Sequence, residues 1–204
     1  VDDCDFLIAL GARFDDRVAG VPERFAPNAK RIAHIDVDAS EINKVKRVHW
    51  SHVGLLPAAL EALRAHATRA GFGRDWSAWR THLDGLKRRH AMNYDRESQL
   101  IQPYYVIEEI NRLTKGEAII ATGVGQHQMW AAQYFDFREP RQWITSGSMG
   151  TMGFGLPAAV GAQFARRGRL VIDVDGDASM RMNLGELETV TTYDLPIKVV
   201  VLNN

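Results

Sequence analysis

Two segments decide the fold of this 204-residue chain, Leu170-Val-Ile-Asp-Val-Asp-Gly-Asp-Ala-Ser179 and Ile197-Lys-Val-Val-Val-Leu-Asn-Asn204. In each, an apolar run of strand length is followed at once by a short polar motif, Gly-Asp in the first and Asn-Asn in the second. A predicted helix at 184–193 separates the two runs. Strand, helix and strand in succession predict neighbouring parallel strands joined by a right-handed crossover.

The motifs after these two strands form a candidate metal site. Neighbouring parallel strands end at one edge of their sheet, so we expect Asp177 and Asn204 to lie close together. One carboxylate and one amide oxygen suit Mg²⁺, with the remaining positions left to phosphate oxygens and water. Gly176 allows a tight turn, and the helix after it is expected to present backbone N–H groups to an anion. The alternative is that both dipeptides are ordinary turns, as each usually is when it occurs alone.

The same alternation of strands and helices extends upstream from these segments. It predicts an α/β fold in which parallel sheets are flanked by helices. Ligands of such sheets bind beyond the carboxyl ends of the strands. The further predicted strands are 118–122 and 142–144, and the predicted helices are 104–114, 125–134 and 153–165.

The first part of the chain predicts a second, separate sheet. Apolar runs at 6–10 and 31–37 flank a polar loop at 11–17. Because the runs are continuous, we expect strands covered on both faces, as in a parallel sheet. Ser40 predicts the start of a short helix, and a longer helix is predicted at 57–69. We therefore divide the chain into a domain at 1–69, a connector at 70–101 with a helix at 76–89, and a second domain at 102–204.

Composition excludes several classes of function. The chain has 25 basic and 25 acidic residues, which disfavours partners such as nucleic acid or an anionic membrane surface. No apolar run approaches the roughly 20 residues of a membrane-spanning helix, and no signal peptide pattern is present at the N-terminus. The single cysteine, Cys4, cannot form an internal disulfide. Because the chain begins and ends beside predicted strands, we expect it to be a fragment of a longer polypeptide.

Two further clusters follow predicted strands in the second domain. The first is Gly123-Val-Gly-Gln-His-Gln-Met-Trp130, where glycines at a helix start allow close backbone approach and Gln126 and His127 are donors suited to diphosphate oxygens. Its glycine pattern does not complete the dinucleotide-binding fingerprint, which disfavours a nicotinamide site. The second is Ser146-Gly-Ser-Met-Gly-Thr-Met-Gly-Phe-Gly-Leu-Pro-Ala158, whose glycines also suit simple packing of a helix on a sheet.

Together these motifs resemble the catalytic subunit of acetohydroxyacid synthase, also called acetolactate synthase, a thiamine-diphosphate enzyme. The resemblance rests on Gly-Asp followed by paired asparagines and covers nearly the whole chain. It implies the end of a central FAD-binding domain followed by a truncated thiamine-diphosphate-binding domain. The other stretches that carry it are Thr122-Gly-Val-Gly-Gln-His-Gln-Met-Trp-Ala-Ala-Gln133, Pro140-Arg-Gln-Trp143, Met152-Gly-Phe-Gly-Leu-Pro-Ala-Ala159, Gly11-Ala-Arg-Phe-Asp-Asp-Arg-Val18 and His34-Ile-Asp-Val-Asp38.

The resemblance implies a role for each matching residue. Asp177 and Asn204 would bind Mg²⁺, and Met152 would support the bent conformation of thiamine diphosphate. The residues implied to bind thiamine diphosphate are Val124, Gly125, Gln126, His127, Gly150, Met152, Asp177, Ala178, Ser179 and Asn204. Those implied to bind FAD, which is structural in this family, are Gly11, Arg13, Asp15, Arg17, Asp36 and Val37.

The activity that the resemblance implies is condensation of decarboxylated pyruvate with a second 2-keto acid, pyruvate or 2-ketobutyrate. The products are 2-acetolactate or 2-aceto-2-hydroxybutyrate, for branched-chain amino-acid biosynthesis. The acid-base glutamate lies outside this fragment, on a partner subunit, so the fragment alone is expected to be inactive. A homodimer or higher homo-oligomer with the active site at the subunit interface is implied, and a small regulatory subunit is a further candidate partner. The implied location is the cytoplasm of a bacterium or an organelle of a eukaryote.

Three alternatives stay open at the level of sequence. One is another carboligase or decarboxylase with the same cofactor, of the glyoxylate carboligase or sulfoacetaldehyde acetyltransferase type. A second is a non-catalytic nucleotide-binding module, which predicts no dependence on thiamine diphosphate. A third is a flavin oxidoreductase, which predicts that a substrate reduces the flavin.

Overall fold

The structure is a computed structural model that describes residues 1–203, so Asn204 lies outside the described residues. The chain forms two compact units, one from Val1 to Asp84 and the other from Gly85 onward. Each unit contains one parallel sheet with flanking helices, which confirms the predicted α/β class. The division falls within the predicted connector at 70–101. The predicted division into three segments stays a prediction.

The first unit is built on a three-stranded parallel sheet with the order β1-β2-β3. The first two strands were predicted, whereas β3 was missed because its sequence, Trp50-Ser-His-Val53, has no apolar run. The short helix predicted at Ser40 is a single 3₁₀ turn, Ala39–Glu41, and the predicted loop at 11–17 contains the start of a one-turn helix. The elements are β1 Phe6–Leu10, α1 Asp16–Ala19, β2 Arg31–Asp36, β3 Trp50–Val53, α2 Leu56–Arg69 and α3 Ser77–Arg89, the last of which crosses the boundary between the units.

The expectation that β1 is covered on both faces is wrong for residues 1–203. Ala9 is buried against Phe14 and Ala19, whereas Phe6 and Ile8 on the opposite face are each 51% exposed. Successive side chains of a strand point to opposite faces, so a continuous apolar run does not show that both faces are covered. Only the face that packs against the loop and helix after β1 is buried here.

The second unit is built on a four-stranded parallel sheet with the order β5-β4-β6-β7. The neighbouring position of β6 and β7 that the sequence predicted is confirmed, with Gly176 opposite Leu202. Thr122 at the end of β4 lies opposite Val174 of β6. The strands are β4 Ile119–Thr122, β5 Trp143–Thr145, β6 Val171–Gly176 and β7 Lys198–Leu202.

The helices of the second unit agree with the predicted ones except after β6. A six-residue helix begins at Asp177 directly after the strand, and a second helix follows it, where one helix at 184–193 was predicted. Gly176 therefore joins strand and helix without an intervening turn. The helices are α4 Pro103–Leu113, α5 Gln126–Tyr134, α6 Gly155–Ala165, α7 Asp177–Met182 and α8 Glu186–Thr192.

The core of the second unit lies on both faces of this sheet. On one face, Ile107 of α4 and Ala131 of α5 pack against Ile120, Ile172 and Val174 of the central strands. A second cluster, on α6 and the strands beneath it, contains Ile119, Ala121, Ala159, Ala162 and Val171. All four residues of β4 are buried, as expected for a central parallel strand. The loops after β4 and β6 thus start from fixed strand ends.

Gln142 secures the start of β5 through its buried side chain. Its amide nitrogen donates to the carbonyl oxygens of Gly116 and Ala118, and its amide oxygen accepts from the backbone N–H groups of Arg138 and Glu139. The side chain is 2% exposed, so none of these partners has an easy replacement in water.

Substitution Gln142→Leu is expected to lower the free energy of unfolding by about 2 kcal/mol or more, because it leaves buried backbone groups without partners. Chemical denaturation followed by circular dichroism measures this loss. The matched control is Gln133→Leu on the exposed side of α5, which should change the free energy of unfolding by less than about 0.5 kcal/mol. Equal effects of the two substitutions would contradict the role given to Gln142.

Candidate cofactor-binding edge

The candidate site lies at the carboxyl ends of β4, β6 and β7. Because Thr122 is level with Val174 and Gly176 is level with Leu202, the segments that follow these strands leave the sheet at one edge. These segments are 123–125, the start of α7 and the end of the described chain at Asn203. The Gly-Asp motif and the glycines after β4 thus reach the same edge.

Asp177 is the first residue of α7, and its side chain is 40% exposed. Its Oδ2 lies 3.9 Å from Nη2 of Arg181 on the same helix, a loose contact that a metal ion readily replaces. Asn204, the second predicted metal ligand, lies outside the described residues. Its neighbour Asn203 follows β7 directly and is exposed. Among residues 1–203, no group of three or more His, Cys, Asp or Glu side chains is arranged to hold a metal ion.

The other two predicted residues of α7 differ in environment. Ala178 is exposed, whereas Ser179 is 1% exposed and its hydroxyl oxygen accepts a hydrogen bond of 2.9 Å from the backbone N–H of Gly153. Ser179 therefore ties α7 to the loop before α6. The side chain of Asn183 makes a second tie by donating to the carbonyl oxygen of Gly153 at 2.7 Å.

Glycines at this edge are required by protein side chains packed against them. A Cβ atom on Gly123 would collide with the carboxylate of Asp175 and the hydroxyl of Ser179. On Gly125 or Gly176 it would come within 3.0 Å of the His127 ring. The glycines of the Gly123 cluster were expected to allow backbone approach to a ligand, whereas their nearest neighbours are polar side chains beneath the edge.

The polar side chains beneath the edge include His127, Asp175 and Asp173, and the two carboxylates were not predicted as part of the site. His127 is 5% exposed, and its Nε2 lies 3.3 Å from Oδ1 of Asp175, which is fully buried. That oxygen also accepts a hydrogen bond of 2.9 Å from the backbone N–H of Gly176. The available signal was the alternation Asp-Val-Asp inside an otherwise apolar strand.

Asp173 lies two residues before Asp175 on the same face of β6 and is fully buried. Burial, and then the negative charge of Asp175, raise the pKa of the Asp173 carboxyl to about 8. Neither of its oxygens has a hydrogen-bond partner. A Cβ atom on Gly155 would collide with Oδ1 of Asp173, so α6 starts directly over this acid.

The loop between β5 and α6 places the remaining predicted residues at the same edge. Gly150 and Gly153 have φ angles of +65° and +80°, which favour glycine. Gly150 lies beside Val124, whose Cγ1 is 3.8 Å from the position of a Cβ on the glycine. Met152 is 38% exposed and lines an open cavity together with Gly153. Gln126 is exposed in the first turn of α5.

This edge fits an anionic group held with a divalent cation. Both α5 and α7 begin here, and their cap residues, Gly125 and Gly176, have no side chain that could accept from the first backbone N–H groups. Helix starts of this kind favour phosphate oxygens, and the exposed carboxylate of Asp177 is a suitable Mg²⁺ ligand. The donor chemistry thus agrees with a metal diphosphate.

The first unit gathers four of the six predicted flavin contacts. Gly11, Arg13, Asp36 and Val37 line one cavity, together with residues on either side of β3. Asp36 is the last residue of β2 and is 6% exposed. Its Oδ1 accepts a hydrogen bond from the backbone N–H of Asp38.

The other two predicted flavin contacts, Asp15 and Arg17, do not line this cavity. Asp15 caps α1 by accepting from the backbone N–H of Val18, and it forms an ion pair of 2.8 Å with Arg13. Arg17 is exposed on α1. These contacts give Asp15 a structural role, and they hold the guanidinium group of Arg13 beside a carboxylate.

Comparison with known proteins identifies the family. The family model described as the central domain of thiamine pyrophosphate enzymes matches residues 1–63, and the C-terminal TPP binding domain of these enzymes matches residues 123–204. The chain belongs to the thiamine pyrophosphate enzyme family. The first matched region contains the cavity lined by Gly11, Arg13, Asp36 and Val37, and the second contains the edge at the carboxyl ends of β4, β6 and β7.

Curated relatives within this family align along the whole chain. Acetolactate synthase 1, chloroplastic, of Nicotiana tabacum is 49% identical over 206 residues, and its namesake in Oryza sativa subsp. japonica is 50% identical over 206 residues. Acetolactate synthase, chloroplastic, of Arabidopsis thaliana is 46% identical over 210 residues. The inferred resemblance to acetohydroxyacid synthase is confirmed by these alignments.

The alignments cover 100% of this chain and 31%, 32% and 31% of the three relatives in the same order. The chain therefore spans about a third of their length.

Among the helices of residues 1–203, none has the length and hydrophobicity needed to cross a membrane.

The buried acid of this thiamine pyrophosphate domain predicts a dependence of stability on pH. In the unfolded chain Asp173 loses its proton near pH 4, whereas in the folded protein it keeps the proton up to about pH 8. Between these values the unfolded chain binds fewer protons, so the free energy of unfolding falls as pH rises. Substitution Asp173→Asn, which removes this penalty, is expected to raise Tm at pH 7.5 by about 3 °C or more relative to the unsubstituted protein.

The difference in Tm should shrink toward pH 4.5, because the penalty grows with each pH unit above the ordinary pKa of 3.8 and little of it has accumulated there. Thermal melts of both proteins across this range provide the measurement. The exposed substitution Asp136→Asn is the control and should give no such trend. A constant difference in Tm at all pH values would contradict the assignment of the raised pKa.

Proposed function

We propose that this chain forms the cofactor-binding part of an acetolactate synthase. The reaction joins pyruvate, after loss of carbon dioxide, to a second 2-keto acid, which is pyruvate or 2-ketobutyrate. The products are 2-acetolactate or 2-aceto-2-hydroxybutyrate, as in branched-chain amino-acid biosynthesis. One observation carries the proposal: β6 and β7 are paired neighbours, so the Gly-Asp motif after β6 and Asn203 after β7 leave the sheet at the same edge. The alignments with acetolactate synthases support the choice of reaction.

The residues of this edge are assigned to binding and positioning. Asp177 and Asn204 would hold Mg²⁺, with phosphate oxygens completing its octahedral coordination. The backbone N–H groups at the start of α5 and the backbone N–H of Ser179, together with the side chain of Gln126, would bind the diphosphate. When bound, thiamine diphosphate supplies the carbon nucleophile for the keto group of pyruvate and a sink for the electrons released with carbon dioxide.

Loop residues before α6 are assigned to the conformation of the cofactor. Met152 projects from the loop that Ser179 and Asn183 fasten to α7, and it is partly exposed at the edge. Its flexible thioether side chain suits contact with a bent, flat ring system. Val124 and Gly150, which lie side by side, would complete the wall near the diphosphate.

The proposal also includes FAD binding by the first unit and the assembly of subunits. The cavity lined by Gly11, Arg13, Asp36 and Val37 would take part of the flavin nucleotide, with a structural role, while Asp15 and Arg17 would contribute indirectly. The acid-base glutamate would come from a partner subunit of a homodimer or larger homo-oligomer, so residues 1–204 alone are expected to be inactive. A small regulatory subunit remains a candidate partner. The location would be the cytoplasm of a bacterium or an organelle of a eukaryote.

Assay of the full-length protein with pyruvate tests the reaction. We expect acetolactate to form only when Mg²⁺ and thiamine diphosphate are both present, with the flavin oxidised throughout. Turnover of glyoxylate or sulfoacetaldehyde without formation of acetolactate would indicate another carboligase. Flavin reduction by a substrate would favour an oxidoreductase, and no response to thiamine diphosphate would favour a nucleotide-binding module.

Substitution Asp177→Ala in the full-length protein is expected to weaken Mg²⁺-dependent retention of thiamine diphosphate by more than about tenfold, because a metal ligand is lost. Cofactor retained after gel filtration at fixed Mg²⁺ is the measurement. The matched control is Asp136→Ala, an exposed carboxylate beyond the far end of α5, which should retain the cofactor normally. Undiminished retention in Asp177→Ala would contradict the metal assignment.

A further inference from the structure

The loop between β5 and α6 is closed on itself at its start. Oγ of Ser146 accepts a hydrogen bond of 2.9 Å from the backbone N–H of Thr151, and the carbonyl oxygen of Ser146 accepts one of 3.2 Å from the N–H of Gly150. The φ angle of +65° at Gly150 allows the chain to turn back here. Residues 146–151 therefore form a turn that its own first residue holds together, and Met152 is the first residue after this turn.

The residue after Met152 is held by a different element, α7. Gly153 donates its backbone N–H to Oγ of Ser179 at 2.9 Å, and its carbonyl oxygen accepts from Nδ2 of Asn183 at 2.7 Å. These two hydrogen bonds hold the peptide groups on both sides of Gly153. Because peptide groups are planar, the backbone at this point keeps little freedom to rotate. The backbone of Met152 is thus held by the turn on one side and by α7 on the other.

Asn183 and Gly153 are packed closely against each other. A Cβ atom on Gly153 would lie 2.8 Å from Nδ2 of Asn183 and 2.9 Å from Cβ of Met182, and its φ angle of +80° also favours glycine. Asn183 caps the end of α7, and its backbone carbonyl oxygen accepts from the N–H of Glu186 at the start of α8. The amide of Asn183 therefore extends from backbone that two helices hold in place.

We infer that Asn183 is a positioning residue that sets the direction in which Met152 projects at the candidate site. Met152 lines the same open cavity as Asn183 and is 38% exposed, so its side chain is available for contact with a ligand. The inference rests on the proposed function, in which Met152 supports the ring system of thiamine diphosphate. It adds a residue outside the binding motifs, beyond the end of the helix that begins at Asp177.

Hydrogen–deuterium exchange in the full-length protein without cofactor tests the contact itself. Asn183→Leu keeps the approximate size of the side chain and removes the donor, and the variant should fold because Asn183 is exposed. We expect amide exchange in peptides spanning residues 146–154 to become severalfold faster, while exchange in α4 keeps its rate. Gly153→Ala, whose methyl group would push Asn183 away, should have the same effect. Unchanged exchange at 146–154 in Asn183→Leu would overturn the inference.

A double-mutant cycle tests whether Asn183 acts through Met152, with the dissociation constant of thiamine diphosphate at saturating Mg²⁺ measured by calorimetry. Met152→Ala is expected to weaken binding about tenfold, because one apolar contact is lost. Asn183→Leu should weaken binding about fivefold, since Met152 is then present but less well placed. The double variant should bind no more weakly than Met152→Ala alone.

Asn93→Leu is the matched control, because it makes the same change at an exposed asparagine in the segment before α4. It is expected to leave the dissociation constant within about twofold of the unsubstituted protein. A loss from Asn183→Leu that persists in full in the Met152→Ala background would overturn the inference, since Asn183 would then act by another route. An unchanged affinity in Asn183→Leu would also overturn it. Failure of the unsubstituted protein to bind thiamine diphosphate would instead refute the proposed function, whatever the exchange rates show.

Discussion

Parallel pairing of β6 with β7 is the constraint on which the site depends. The register that sets Gly176 level with Leu202 brings the residues after both strands to one edge of the sheet. If the register changed by one residue, side chains would point to the opposite face and the two polar motifs would separate. The buried core on both faces of β4 and β6 fixes this register, because Ile172 and Val174 pack on one face while Val171 packs on the other. The hydrophobic core therefore fixes the point at which Asp177 leaves the sheet.

The polar side chains buried directly behind this edge lower the stability of the fold. Two carboxylates, Asp173 and Asp175, lie fully buried on one face of a central strand, and four glycines are needed to make room for them and for His127. One carboxylate is held neutral by its surroundings, while the other contacts the imidazole and a backbone N–H group. Buried polar groups that reduce stability in this way are frequent at functional sites. The arrangement connects the strand, two helix starts and the loop before α6 into one unit.

Much of the second unit could be predicted from the sequence, since its apolar runs and polar strand ends recur in order. The pairing of β6 with β7 followed from the succession of an apolar strand, a helix and a second apolar strand. The separate helix at Asp177 was missed because Gly-Asp is typical of a turn, and β3 was missed because Trp50-Ser-His-Val53 carries its strand character without an apolar run. The exposed face of β1 could not be predicted, because an apolar run shows hydrophobicity and does not show which neighbours cover it.

The sequence predicted only those site residues whose chemistry is evident from their type and their position after a strand. Exposed donors and carboxylates such as Gln126 and Asp177 are recognisable from type and position, whereas the partners of Ser179 and His127 depend on which strands lie side by side. The glycines illustrate the difference, since the need for Gly123 becomes visible only when Asp175 and Ser179 are placed beneath it. Tertiary neighbours, which no local pattern encodes, therefore decided the part of the site that the sequence left open.

Anomalous diffraction from crystals of the full-length protein grown with thiamine diphosphate and Mn²⁺ in place of Mg²⁺ tests the central claim most directly. We expect one strong manganese peak at the carboxyl ends of β6 and β7, with an oxygen of Asp177 and the amide oxygen of Asn204 both about 2.1 Å from the metal. A peak bound to one of these side chains and not the other, or a metal at another edge of the sheet, would contradict it.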